Sequence, residues 1–172
     1  MQSVIIKPLE PKDVSQDYVA WMNDPEVVQY TMQGGKPHTF EDVTAFVDAK
    51  MNAHDEILFG IYVKSRHVGN IKIGPVDRDK KCADISYIIG NKEYWGRGVS
   101  TQAVKDICEY GFKKFDIDII KATVFSNNIA SQKVLQKNGF RLERIKEKAY
   151  AFKGNRVDGH VFVLSRESWQ KT

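Results

Sequence analysis

Apolar positions keep a helical spacing over the first third of the chain, switch to the alternation of strands from about residue 57, and return to a helical period near the middle. SVIIKPL predicts a first short strand over 3–9. SQDYVAWMN predicts a helix, because Tyr18, Trp21 and Met22 recur at helical spacing before Asp24-Pro25 ends it. A loop with Gly34, Gly35 and Pro37 leads to a second helix over 41–51, with Val43, Phe46, Val47 and Met51 on one side. ILFGIYVK, HVGNIKIGPV and ADISYIIG then read as strands, the last two joined by the polar turn DRDKK into an antiparallel hairpin.

A long helix is predicted over 98–114, where Val99, Ala103, Val104, Ile107, Cys108, Gly111, Phe112 and Phe115 form one apolar stripe. After it come a strand, IIKATVF, and a short helix, IASQKVLQK. Asn138-Gly139-Phe140 closes that helix, with Gly139 suited to a left-handed C′ position and Phe140 to packing back on the last turn. Two strands near RLERIKEKAY and RVDGHVFVL finish the pattern. The order β-α-α-β-β-β-α-β-α-β-β places one parallel βαβ unit between antiparallel hairpins. The expected fold is α+β, a mixed and largely antiparallel central sheet with a parallel βαβ core flanked by helices.

Composition narrows the picture. A chain of 172 residues, 42% hydrophobic and 28% charged, suits one domain over 1–172, able to bury roughly 70% of its unfolded surface. No stretch approaches the roughly 20 apolar residues of a membrane span. The N-terminus carries no leader-like segment, which predicts a cytoplasmic protein without membrane contact. Cys82 and Cys108 form no CxxC pair, so neither a metal nor a redox motif is expected. The net charge of +4 comes without a Lys/Arg block, which argues against nucleic acid and is compatible with a small anionic ligand.

The chemistry concentrates in YWGRGVSTQA, residues 94–103, where Gly96 and Gly98 stand at the junction of strand and long helix. A helix N-terminus offers unpaired N–H groups and the positive end of the helix dipole, and glycines let backbone approach a phosphate. Ser100 and Thr101 can add hydroxyls or cap the helix. The plain alternative is a loop that simply ends in a helix. A dinucleotide fingerprint lacks its third glycine here, since Thr101 stands there, and a Walker loop lacks its lysine.

Residues 84–103, DISYIIGNKEYWGRGVSTQA, resemble the acetyl-CoA signature of the GNAT superfamily of N-acetyltransferases, [Q/R]xxGxG/A at the mouth of a long helix. Gly96 and Gly98 match and Glu93 departs from the Q/R position. SNNIASQKVLQKNGFRLE (126–143) resembles that superfamily's asparagine-led helix ending in GF, and Asn128-Ile129-Ala130-Ser131 is similar to the NxAS form of the RimJ/RimL branch. YVAWMNDPEVVQYT and LFGIYVKSRHVGNIKIGPV look like members encoded with bacterial surface-polysaccharide enzymes.

The resemblance implies acetyl-CoA as co-substrate and no metal. Its pyrophosphate would sit on the amides of Arg97, Gly98, Val99, Ser100 and Thr101. Its pantetheine arm would lie where the two parallel strands splay, with N–H groups near Ile88 and Ile89 polarising the thioester carbonyl. Asp84 matches a position often acidic in the family and is the candidate base, with a salt bridge to Arg78 or Lys80 as the plain alternative. Glu147 and Tyr150 are further candidates, and holding the amine against the thioester can itself supply much of the rate. Many members donate a proton to the leaving thiolate from a tyrosine seven residues after the asparagine. That position is Leu135 here, so the role passes to Ser131, with Tyr150 as a second donor. Asn128 would contact the cofactor, cap the short helix, or do both.

For the acceptor, the early helices and the loop QGGKPHTF would wall the pocket, which nominates Trp21, Asn23, Glu26, Tyr30 and His38. His160, beside Asp158 in the last strand, could face the cleft. The favoured acceptor is a small primary amine, an amino sugar linked to a nucleotide. Alternatives are the N-terminus of a protein, as in the RimJ/RimL branch, or a polyamine or antibiotic. An acidic pocket near Glu26 and Asp84 would point to a polyamine, a basic one to a nucleotide-sugar. A non-catalytic acyl-CoA sensor is the reading from a different class. Edge strands in this fold permit a homodimer.

Overall fold

A computed structural model describes residues 3–32 and 34–171. The strands are β1 (Val4–Pro8), β2 (Ile57–Val63), β3 (Arg66–Asp77), β4 (Cys82–Ile89), β5 (Ile119–Phe125), β6 (Arg141–Phe152) and β7 (Asn155–Ser165). They form one seven-stranded sheet in the order β1-β2-β3-β4-β5-β7-β6. Every neighbouring pair is antiparallel except β4–β5, which is parallel. The α+β fold with a parallel βαβ core is the one the sequence pattern predicts.

The helices are α1 (Gln16–Asn23), α2 (Pro25–Val28), α3 (Phe40–Met51), α4 (Val99–Lys114), α5 (Ile129–Lys137) and α6 (Arg166–Gln170). Two of them, α2 and α6, lie beyond the expected pattern. Asp24-Pro25 ends α1 and also starts α2, because Asp24 accepts from the Glu26 N–H and Pro25 occupies the first turn. Helix α6 is capped by Ser165, and the Arg166 guanidinium donates to the carbonyls of Phe112, Phe115 and Ile117.

The two faces of the sheet carry separate cores. On one face the α4 stripe of Val99, Ala103, Val104, Ile107 and Phe112 packs on Phe59, Ile71, Ile73, Ile85 and Ile120. On the other, α1 and α3 bring Tyr18, Trp21, Val43 and Val47 onto Leu58 and Ile88. Helix α5 closes as its sequence predicts. The Phe140 N–H donates to the Leu135 carbonyl (3.1 Å), the Gly139 N–H to Gln136 (3.0 Å), and Gly139 has φ +82°.

One irregularity positions the site. The β4–β5 ladder pairs Cys82 with Ile119, Ala83 with Ile120 and Asp84 with Lys121, and no further. Beyond this third rung, residues 85–89 of β4 and 122–125 of β5 have no ladder partner in each other. The central parallel pair therefore opens towards its C-terminal end.

Candidate active site

A cavity of about 460 Å³ occupies this opening and reaches both faces of the sheet. Its floor is the diverging backbone, Ile85 to Ile88 on one side and Ala122 to Phe125 on the other. Asn128 and Ser131 line it from α5. Tyr18, Met22, Tyr30, Phe46, Lys50, Asn70, Lys72 and Tyr150 line it from the opposite face and its flanks.

On the α5 side, Asn128 is the N-cap, its Oδ1 accepting the Ser131 N–H at 3.2 Å. The Ser131 Oγ stands 2.7 Å from the Tyr87 hydroxyl, which is also 3.2 Å from the Ser131 carbonyl. If Tyr87 donates to Oγ, the serine proton is free to point into the cavity. Burial pushes the Tyr87 phenol up to about 12, so it stays protonated and keeps a proton to donate at neutral pH. Tyr87 carries no motif signal. It lies in a strand whose alternation reads as packing, and only the fold brings it to Ser131.

The glycine loop lies at the N-terminus of α4. Gly96 and Gly98 have φ of +70° and +78°, a region that disfavours any side chain. Gly98 is the N-cap, and no side chain caps the helix. Ser100 and Thr101, expected as alternative caps, lie inside the first turn instead. No acidic residue stands in that turn, so the N–H groups there keep their capacity for an anion. Arg97 is exposed beside them. Asn138 Nδ2 donates to the Thr101 carbonyl at 3.1 Å, tying the end of α5 to this terminus. Ile88 lines the cavity, while the Ile89 side chain belongs to the α4-side core. Glu93 pairs with Arg66 at 3.3 Å.

The acceptor side differs more from expectation. Of the nominated residues, only Tyr30 lines the cavity. Trp21 is buried against Tyr18 and His67, at ring distances of 5.8 and 5.1 Å. Asn23 clamps the loop to α1, donating to the Val19 and His38 carbonyls and accepting the His38 N–H, and neither Asn23 nor His38 lines the cavity. Glu26 is exposed and pairs with Lys92 at 2.9 Å. Asp84, the expected base, is exposed on the last rung of the ladder and does not line the cavity. Among the described residues no salt bridge joins Asp84 to Arg78 or Lys80, and Lys80 pairs with Asp77 at 3.0 Å. His160 approaches Gln132 (3.3 Å) and does not line the cavity either.

Tyr150 lines the cavity, stacked on Phe125 at 4.2 Å, and burial raises its phenol pKa. Asn70 is held by the His67 ring at 2.8 Å. Lys50 and Lys72 share one carboxylate, Glu56. Burial pushes the Glu56 carboxyl up, and the hydrogen bonds and charges of the two lysines outweigh it, holding its pKa below the usual carboxylate value. Among the described residues, no carboxylate or imidazole lines the cavity, and no cluster of His, Cys, Asp or Glu could hold a metal. No helix among them is long and apolar enough to cross a membrane.

The acetyltransferase (GNAT) domain family matches residues 3–141, and the chain belongs to that family of N-acetyltransferases. It is 30% identical over 170 residues to YnaD of Bacillus subtilis, an uncharacterized N-acetyltransferase, covering 96% of this chain and 95% of that one. It is 25% identical over 143 residues to spermidine N(1)-acetyltransferase of Escherichia coli (82% and 74% covered). Its fold is similar to that of RimL, a ribosomal L7/L12 alpha-N-protein acetyltransferase in complex with coenzyme A. The TM-score is 0.88 at 16% identity, with 98% of this chain and 97% of that chain covered.

Proposed function

We propose that the protein transfers the acetyl group of acetyl-CoA to a primary amine held in the cavity between β4 and β5. The observation that carries this reading is the opening itself. A parallel pair that stops after three rungs leaves backbone groups facing a cavity that reaches both faces of the sheet, the setting a strand-like pantetheine arm requires. The uncapped N-terminus of α4 supports pyrophosphate binding by the amides of Arg97, Gly98, Val99, Ser100 and Thr101. Of the two expected donors, the Ile88 N–H faces β3 by alternation from the Gly90 N–H bond to Val68, which leaves the Ile89 N–H for the thioester oxygen, and Asn128 lines the same groove.

The amine nitrogen attacks the thioester carbonyl, the C–S bond breaks, and the thiolate takes a proton from the Ser131 hydroxyl. Tyr87 holds that hydroxyl in place, and the proton that the nitrogen sheds as it becomes an amide passes through water to restore the serine. The ammonium form of the substrate loses its extra proton to water, since no carboxylate or imidazole lines the cavity among the described residues. Rate then comes chiefly from holding the free amine against the carbonyl. Tyr150 serves as a hydrogen-bond donor at the acceptor side.

A nucleotide-linked amino sugar is the first acceptor to test. The experiment is release of CoA thiol across nucleotide-linked amino sugars, peptides with free Ala or Ser N-termini, and polyamines. Turnover confined to one class identifies the acceptor. Acetyl-CoA binding without turnover of any amine overturns the reading in favour of a sensor.

A further inference from the structure

We infer that the acceptor carries an anionic group, a carboxylate or a phosphate, which Lys50 and Lys72 recognise on the cavity wall, with Glu56 between them setting the charge they present. The inference rests on the acetyl-transfer reading and specifies the substrate of the same site.

Lys50 lies in the last turn of α3, Lys72 in the middle of β3, and both line the cavity. Each is bound to Glu56, and all three side chains are mostly buried, at 24%, 21% and 13% exposure. One carboxylate balances one lysine. The second lysine leaves the wall with an excess positive charge, partly removed from water, where field lines are focused and a counter-charge is most effective. A purely structural ion pair has no need of that second cation, and burying its uncompensated charge costs free energy. The two lysines face a cavity where, among the described residues, no acid offsets them. Such a wall repels a polycation. The carboxylates that could have drawn one in are elsewhere, Glu26 on Lys92 and Asp84 outside the cavity.

The rest of the wall fits the same ligand. Lys72 is in register with Ser86 on β4, and Phe125 follows the same face of β5, with Tyr150 and Tyr30 packed against it. The cationic pair thus lies on the β3 side of the gap and the aromatic cluster on the β5 side. An acceptor with a charged end and an apolar or ring-shaped body spans the two, and its amine falls between them, over the opening.

The test uses the full chain with acetyl-CoA and matched amines: glucosamine against glucosamine 6-phosphate, tyramine against tyrosine, and spermidine. The quantity read is the ratio of kcat/KM for the anionic member to that of its neutral partner, in wild type and variants. Comparing ratios cancels the amines' intrinsic reactivity. Lys72→Met and Lys50→Met should each lower the ratio about tenfold, chiefly through KM. Lys72→Arg should restore most of it, and Glu56→Gln should raise it. The phosphate and carboxylate pairs tell which anion is read.

An unchanged ratio in the methionine variants overturns the inference, as does efficient turnover of spermidine, while either leaves acetyl transfer standing. If the methionine variants fail to fold, the rise expected in Glu56→Gln decides. If no amine turns over, acetyl transfer fails. Calorimetric binding of glucosamine 6-phosphate and tyrosine to the CoA-loaded protein, weakened or not by Lys72→Met, then decides the anion reading separately.

Discussion

Two sides of the proposed site are built in different ways. The α4 and α5 side comes from two continuous segments, the glycine loop 94–103, outside the cavity lining, and 126–140, whose Asn128 and Ser131 line the cavity. The opposite wall is assembled from residues on α1, α3, β2, β3, β5 and β6, with Tyr30 from the turn after α2. A binding surface made of backbone N–H groups at a helix terminus constrains its local sequence, because glycines and caps are required at fixed offsets. A surface made of side chains from six elements leaves no local pattern, and it is free to change with the acceptor.

Several substitutions sharpen this contrast. The largest effect is expected at the local wall. Gly98→Trp puts a side chain where nothing lies within 4 Å of the Cβ position, so the chain can fold at a backbone cost of about 1–2 kcal/mol for the left-handed φ. Acetyl-CoA affinity should fall more than about 100-fold in a calorimetric titration, with circular dichroism unchanged. Retained affinity would remove the α4 terminus from cofactor binding.

Ser131→Ala should lower kcat by about 10- to 100-fold with little change in acetyl-CoA affinity, as expected for a group acting on the leaving thiolate. Tyr87→Phe should lower it less, about three- to tenfold, because it removes the residue that orients the serine. Equal kcat in both variants and wild type would take the pair out of the mechanism.

Alkaline stability reads the burial of the same tyrosine. Tyr18, Tyr62 and Tyr87 are pushed from 10 up to about 12 by burial. The unfolded chain releases these protons first, so their contribution is full below pH 10 and is lost as pH rises from there towards 12. Urea midpoints at about pH 9 and about pH 11 should therefore differ, and the difference should shrink in Tyr87→Phe. The smallest effect is expected for Asp84→Asn, under about twofold in kcat/KM at every pH, since Asp84 is exposed and outside the cavity. A lost pH limb would return it to the reaction.

Periodicity and turn chemistry made the sheet, α1, α3, α4 and α5 legible, down to the closure at Gly139. The short α2 and α6 were not, because Pro25 reads equally as a stop and as a first-turn residue, and five residues carry no period. In the candidate site, Gly98, Asn128 and Ser131 could be nominated because local patterns single them out. Trp21 and Asn23 could be nominated as well, and the structure places them in packing and in a loop clamp outside the cavity lining, because a helix beside a pocket also packs and clamps. Lys50, Lys72 and Tyr87 gave no signal, since each is ordinary in its own element and acquires its role from register across the sheet.

The three-rung ladder also bears on how the molecule opens. Among the described residues, backbone bonds join β1–β4 to β5–β7–β6 at one end of the seam, over 81–84 and 118–121, so the far end is held by side chains beneath α4, including Ile85, Val104 and Val124. The amide protons at 85–89 and 122–125 that face the seam, and not those bonded to β3 or β7, should then exchange with solvent sooner than those of the β2–β3 ladder. A ligand lying in the seam would slow them selectively, acting as the missing strand and joining two half-sheets into one cooperative unit.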